Sequence, residues 1–496
     1  MRCSAAWTPS ATNSNGAGSC SASPTSPSAP MSWRPLRRWW IVWLGSRALP
    51  LASVAEARAE LLAKTPASQR ISERRAEILN SGLAANLEMP HPIFIERGEG
   101  AYVFDADGNR YIDTSVGFGL HMLGHRHPAI EAAIKDRAEL GWMFGIHTTS
   151  QMRLAELLHD ASPCAARVVF CNTGTEATMY AIRAARGFSG RERIALFDGC
   201  YHGAHDYGMW ATDPVSPVDA PNHLPMGHGI PEALKGLNLM LPYRRRAAFD
   251  IVRKHRDELA LVMIEGVQSS NPQPEAGEFL RELADVCRAN GVLLCIDEVI
   301  TGFRVAYGGA QERFGVTPDL ATYGKVLGGG LAIGAIAGRA DLMNVFTGLA
   351  AERGVFSGGT FSGNPLTMEA GAAAVGWLKD HPQIYDDLEA AGSRLAGAVN
   401  AFAETRQIPA QVKHVGSMFH LFFQRQPLQS MRDLKSIGSA AEKAFYLHAL
   451  NRGVLVPGTQ RAFLSSAHGK AEIDRLIEVF QQSLADVQAE GLFDAA

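Results

Sequence analysis

Between residues 127 and 358 one alternation recurs: a short, continuous apolar run, then a longer stretch whose apolar positions follow helical spacing. The runs are ARVVFC, RIALF, LALVMIEG, VLLCIDEV, LATYGK and AIGAIAG, with TEATMYAIRAARGFSG and GEFLRELADVCRAN among the helical stretches. A strand that is apolar at every position has no face for water, so it must be covered on both sides. Strands separated by helices can pair in parallel. The expectation is an α/β domain with a mainly parallel sheet covered by helices over residues 127–358.

A smaller α+β unit is expected from the flanking segments. Residues 53–126 open with helical spacing in VAEARAELLAK and ISERRAEILNSG, and AYVFDADGNRYIDTS reads as a hairpin turning at Asp107-Gly108. Residues 359–496 begin with a long helix in GNPLTMEAGAAAVGWLKD and then mix strands and helices. Residues 1–52 differ in kind: SATNSNGAGSCSASPTSPSAP is of low complexity, and the apolar run from Trp39 to Gly45, preceded by arginines, is only seven residues long with Arg47 soon after it, so a disordered start is preferred over an export signal. This part is expected to stay outside the fold.

A net charge of −3 gives no reason to expect nucleic acid or an anionic membrane as partner, and no stretch has the roughly 18 apolar residues of a membrane span. The seven cysteines form no C-x-x-C pair, which suits reduced thiols in the cytoplasm. His121, His125 and His127 lack a carboxylate at ligand spacing, so no metal site is expected.

Ligands of such a sheet collect at the carboxyl ends of its strands, and four of these ends carry chemistry. In FCNTGTEATMY a strand runs through Asn172 and Thr173 into a helix starting at Gly174 and Thr175. Free N–H groups, half a positive charge and a hydroxyl make a phosphate cup there; an ordinary capped helix start is the alternative. Neither G-x-G-x-x-G nor G-K-[ST] is present, so no dinucleotide or P-loop site is indicated. In FDGCYHGAHD, Tyr201 offers an aromatic face and His202 an imidazole. In VLLCIDEVITGF, Asp297 and Glu298 close a buried strand, where a carboxylate needs a cationic partner. Asp297 could hold a ring nitrogen protonated; capping of the next segment or pairing with Arg304 is the alternative, and the preferred one for Glu298. Lys325 follows Asp297 by 28 positions and sits among Tyr323, Gly324, Val326, Leu327 and Gly328. With little water to hold its charge, its amine should become nucleophilic and suited to imine formation. Together these are the parts that hold pyridoxal phosphate.

From about residue 90 onward the chain resembles the class III aminotransferases of fold type I, closest to the branch containing glutamate-1-semialdehyde aminomutase. The resemblance rests on GAYVFDADGNRYIDTSVGFG, LGHRHP, CNTGTEATMYAIRAARGFSGRERI, GCYHGAHD, IDEVITGFR, PDLATYGKVLGGGLAIGAIAGR, GGTFSGNPLTMEAG and FLSSAH, in the family's order. It implies that Lys325 binds pyridoxal 5'-phosphate as a Schiff base, that Asp297 pairs with its ring nitrogen, and that Gly174 and Thr175 bind its phosphate. It further implies that Tyr201 stacks on the ring beside His202, that Gln268 lies near its phenolic oxygen, and that Thr360 reaches the phosphate in the other subunit of a homodimer. The family's Glu-Pro is Glu265-Gly266 here.

The chain departs from the aminomutase at substrate positions. LNSGLAANLEMP stands where the aminomutase carries an arginine, Phe118 replaces a tryptophan, and Gln460 or Arg461 replaces an acid. Arg461 could clamp a substrate carboxylate. These departures favour ping-pong transfer between an amine or amino acid and a separate aldehyde or ketone, with the aminomutase as the alternative. A racemase, a decarboxylase or a non-catalytic regulator is less favoured.

Overall fold

The computed structural model describes residues 52–79, 92–349, 352–426, 428–434, 439–457 and 461–493. Residues 1–51, most of LNSGLAANLEMP, and Gln460 lie outside these.

The described chain opens with the helices Ala52–Lys64 and Pro66–Ile78, then three antiparallel strands, β1 (Ile95–Glu99), β2 (Tyr102–Asp105) and β3 (Arg110–Asp113). Asp107-Gly108 makes the expected turn, with Gly108 at φ +86°. The alternating region supplies β4 (Arg167–Cys171), β5 (Arg193–Phe197), a ribbon of β6 (Trp210–Thr212) and β7 (His223–Pro225), then β8 (Asn238–Leu241), β9 (Leu259–Glu265), β10 (Leu293–Asp297), β11 (Leu320–Gly324) and β12 (Gly334–Gly338). Leaving out the ribbon, these form one seven-stranded sheet in the order β4-β12-β11-β10-β9-β5-β8. Pairing is parallel from β11 to β8, as expected, whereas β12 runs antiparallel to both β11 and β4. Only residues 325–333 join β11 to β12, too few for the crossover that a parallel neighbour requires.

Every residue of β9, β10, β11 and β12 is buried, so both faces of the sheet are covered. Their side chains divide by the two-residue period of a strand. Leu261, Met263 and Cys295 pack with Ala177, Ala181, Ala184 and Ala185 of the helix Gly174–Ser189. Val262, Ile264, Leu294 and Ile296 pack with Phe279, Leu280 and Leu283 of the helix Ala276–Ala289. The alanine face lets the first helix approach closely. Each buried leucine or isoleucine contributes about 1.5–3 kcal/mol.

The C-terminal part begins with the helix Pro365–Asp380, where Asn364 caps Thr367 N and Pro365 occupies the first turn. It adds β13 (Gln411–Val415), β14 (Met418–Phe422), β15 (Val454–Leu455) and β16 (Ala462–Phe463). β15 pairs in parallel with β3, so the two flanking segments share a sheet and form the expected smaller unit. Among the described residues the five cysteines are free thiols, no helix is long and apolar enough to cross a membrane, and no His, Cys, Asp and Glu group is arranged to hold a metal ion.

Candidate active site

The carboxyl ends of β4, β9, β10 and β11 face one cleft of about 330 Å³, lined by Gly174, Thr175, Tyr201, His202, Glu265, Asp297 and Lys325. Six of the residues singled out from sequence therefore meet, joined by Glu265.

At the β4 end, Thr173 caps the helix by accepting from Glu176 N at 3.0 Å. The first-turn amides of Gly174 and Thr175 have no intrahelical acceptor and lie at the positive end of a sixteen-residue helix. A Cβ on Gly174 would lie 2.9 Å from Val299, which is why glycine stands there. The neighbouring strand approaches as closely: a Cβ on Gly334 would lie 2.0 Å from Thr173 O. Thr175 Oγ1 accepts from Ala204 N at 3.1 Å, and Thr178 donates to His202 O at 2.6 Å. The loop carrying Tyr201 and His202 is thereby tied to the cup.

At the β10 end, Asp297 is almost fully buried and meets three hydrogen-bond partners, which leaves one acceptor site for a further donor. Oδ1 accepts from Val299 N and from Thr322 Oγ1, each at 3.0 Å, and Oδ2 is 2.7 Å from His202 Nδ1. A carboxylate held by three donors needs no arginine, so Asp297 is not paired with Arg304. His202 Nε2 is buried without a partner. Glu265 closes β9 as Asp297 closes β10: it accepts from Tyr201 N at 2.8 Å and from Ser269 N at 2.9 Å, fixing the aromatic residue in place. The signal that found Asp297, an acid ending an apolar strand, also marks Glu265 in LALVMIE.

Lys325 opens the short link after β11 in a left-handed conformation, φ +45°. Its amine is pushed down from 10.5 to about 8, first by burial; Arg461 and Arg304 press the same way, against Asp297 and Glu265. Roughly a tenth of such amines are neutral at pH 7, against about 0.03% at the ordinary value.

Glu298 points away from the cleft, as expected, and caps the segment after it. It accepts from Thr301 Oγ1 and from Ala310 N and Gln311 N, the latter two at 3.0 Å. Its alternative partner, Arg304, instead binds the carbonyls of Gly119 and Leu464 and the hydroxyl of Ser417. Gln268 is buried and donates to Asp198 O at 2.6 Å, leaving Oε1 without a partner. Phe118 is half-buried in a tight turn, and Leu120, two residues on, reaches the cleft wall. The Arg461 guanidinium lies 5.8 Å from the Tyr201 ring centroid. Thr360 is exposed, flanked by exposed Phe356 and Phe361. Sequence reasoning passed over His420, which is buried in β14 and pushed down to about 3 by desolvation; its Nδ1 meets Ser270 O at 2.7 Å and its Nε2 has no partner.

The chain is similar to known proteins in sequence and fold. The family model described as "Aminotransferase class-III" matches residues 83–484. A glutamate-1-semialdehyde 2,1-aminomutase of Sorangium cellulosum is 39% identical over 444 residues, covering 87% of this chain and 99% of the relative. An omega-transaminase from Sphaerobacter thermophilus superposes with a TM-score of 0.80 at 34% identity, covering 85% of this chain and 98% of that one. A transaminase solved with pyridoxal phosphate bound gives a TM-score of 0.78 at 30% identity, covering 86% and 99%.

Proposed function

The chain belongs to the class III aminotransferases, fold type I enzymes that depend on pyridoxal phosphate, and from that premise we propose that it moves an amino group on a small carbon skeleton with Lys325 as its proton carrier. The observation that carries the reading is the Lys325 amine, lowered to about 8 and opening on the cleft that Asp297 and the helix cup also line.

The cleft suits the cofactor: a cup of unpaired amides at one end, an anchored carboxylate and a desolvated amine, with His202 Nε2 an unpartnered polar atom beside them. Gly174 and Thr175 would hold the phosphate, Asp297 the ring nitrogen, Tyr201 the ring face and Lys325 the aldehyde carbon. Gln268 Oε1 is the unpaired acceptor we assign to the phenolic side. The bound cofactor supplies an electron sink for the pair left when a bond at the carbon bearing the amino group breaks. Asp297, held by backbone, hydroxyl and imidazole, keeps its charge aimed at that sink without reorganising. Lys325, with a pKa near neutrality, takes a proton from one carbon and returns it to another. Leu120, Val299 and Ile333 line the cleft and keep water from the exchange.

In its finer form the reading has two versions. The intramolecular shift of glutamate-1-semialdehyde 2,1-aminomutase is supported by the name and nearly full-length coverage of the 39% identical relative. Ping-pong exchange between an amine or amino acid and a separate carbonyl compound, which the sequence departures favour, is supported by Arg461 beside Tyr201, and by the likeness to the omega-transaminase. We place Thr360 against the cofactor of a second subunit; its exposure between Phe356 (59% exposed) and Phe361 (63% exposed) suits a surface that a partner covers.

The test mixes cofactor-loaded protein with a panel of amines and amino-aldehydes while following its visible absorbance. Isomerisation of one amino-aldehyde with no second substrate supports the aminomutase; carbonyl release matched to absorbance loss with a donor alone supports exchange. Borohydride reduction and peptide mapping that leave no pyridoxyl group on Lys325 would overturn both.

A further inference from the structure

Arg304 is among the largest fully buried side chains, at 1% exposure, yet no carboxylate lies within ion-pair distance of it among the described residues. Its side-chain hydrogen bonds all reach segments distant in sequence. Nη2 donates to Gly119 O; Nη1 donates to Ser417 Oγ at 2.8 Å and to Leu464 O at 3.3 Å; the guanidinium stands 5.0 Å from the Phe463 ring centroid. A buried cation bonded only to carbonyls and a hydroxyl, with its Nε left without a partner, is expensive, so what it holds together is informative.

One partner is a strained turn. Val116, Gly117, Phe118 and Gly119 have φ of +39°, +65°, +58° and +87°. Left-handed backbone is disfavoured for any side chain and most for a β-branched one, so the run lasts only where its surroundings hold it. Within the turn, Gly119 N donates to Ser115 O and His121 N to Val116 O, both at 3.0 Å. Gly119 also packs so tightly that a Cβ would lie 3.0 Å from Phe463. The turn leads into Leu120 on the cleft wall, while Val299, Ile300 and Thr301, just before Arg304 in the chain, form another part of that wall. The third partner segment, Ala462–Phe463 with Leu464, directly follows Arg461.

We propose that Arg304 is a positioning residue: by clamping Gly119, Ser417 and Leu464 it holds the left-handed turn against β16 and so sets the substrate side of the cleft. The proposal rests on the reading of this cleft as the active site. Arg304 touches neither cofactor nor substrate. It registers Leu120 and Phe118 on one side against Arg461 on the other.

The test uses cofactor-loaded protein with Arg304→Met, Arg304→Lys and Ser417→Ala. Hydrogen exchange of the peptide covering residues 115–122 is followed by mass spectrometry, and aminooxyacetate affinity by loss of the cofactor's visible absorbance. Arg304→Met is expected to speed exchange in that peptide and to weaken aminooxyacetate binding, each about tenfold, with cofactor loading unchanged. Arg304→Lys, which keeps the charge, recovers part of both, and Ser417→Ala shows about a threefold effect confined to the same peptide. If Arg304→Met does not fold, the other two variants decide. Wild-type exchange in this peptide in both, loosening spread evenly along the chain, or faster exchange with unaltered aminooxyacetate affinity overturns the proposal. Wild-type protein that takes up no cofactor refutes the enzyme reading and leaves the exchange measurement of the clamp standing.

Discussion

Replacing Lys325 by methionine in the cofactor-free protein should stabilise it, by an amount that depends on pH. The amine falls from 10.5 to about 8 because burial resists its charge. Below pH 8 the folded chain carries an ammonium where little water reaches it, whereas the unfolded chain carries the same charge in water. Between about pH 8 and 10.5 the unfolded chain holds a proton that the folded chain has released, so wild-type stability climbs through that window. The gap corresponds to about 3 kcal/mol at about 1.4 kcal/mol per pH unit. Methionine is unbranched and one atom shorter, and it removes the charge. Thermal unfolding of both apoproteins should therefore show Lys325→Met melting several degrees higher at pH 7, with the advantage shrinking as pH rises from 8 to 10.5. Equal melting temperatures at pH 7, or a difference that does not change across the window, would refute the desolvation argument and the proton-carrier role built on it.

Asp297→Asn removes the negative charge that Val299 N, Thr322 Oγ1 and His202 now meet; turnover should fall by about 100-fold or more while far-ultraviolet circular dichroism stays native. Gly334→Ala forces a methyl onto Thr173 O, and a melt should show about 1–3 kcal/mol of destabilisation together with weaker cofactor binding, read from equilibrium dialysis. Arg461→Met should weaken aminooxyacetate, which carries a carboxylate, by about 10- to 100-fold in an absorbance titration, and shift methoxyamine, which lacks one, by less than about twofold. Similar losses for the two probes would remove the clamp.

Much of the site could be read in the sequence because its signals are local. A strand apolar at every position that ends in an acid, or a lysine offered only small neighbours, is odd in any fold, and position at a strand end then gives the oddity a place. Asp297, Lys325 and the Gly174 cup were legible in this way. Glu265 carried the same signal and was read only as half of an altered dipeptide, although it anchors Tyr201. The reversed direction of β12 follows from a link too short to cross over, a constraint that strand and helix alternation does not express. Arg304 was matched to the acids near it in sequence. Its partners are backbone carbonyls and a hydroxyl supplied by chain more than a hundred positions away, and carbonyls leave no mark on the letters. Nor do valine and phenylalanine announce the left-handed turn at 116–119, since nothing in their chemistry favours it.

The strand β12 lies between β4 and β11. Past the end of β12 the chain after β4 and the chain after β11 converge: a Cβ on Gly324, next to Lys325, would lie 3.7 Å from Gly174 Cα, so the sheet and not a surface loop sets how close the helix start comes to the lysine. Surface loops can vary in length and composition while this close approach, built from glycine on both sides, stays unchanged.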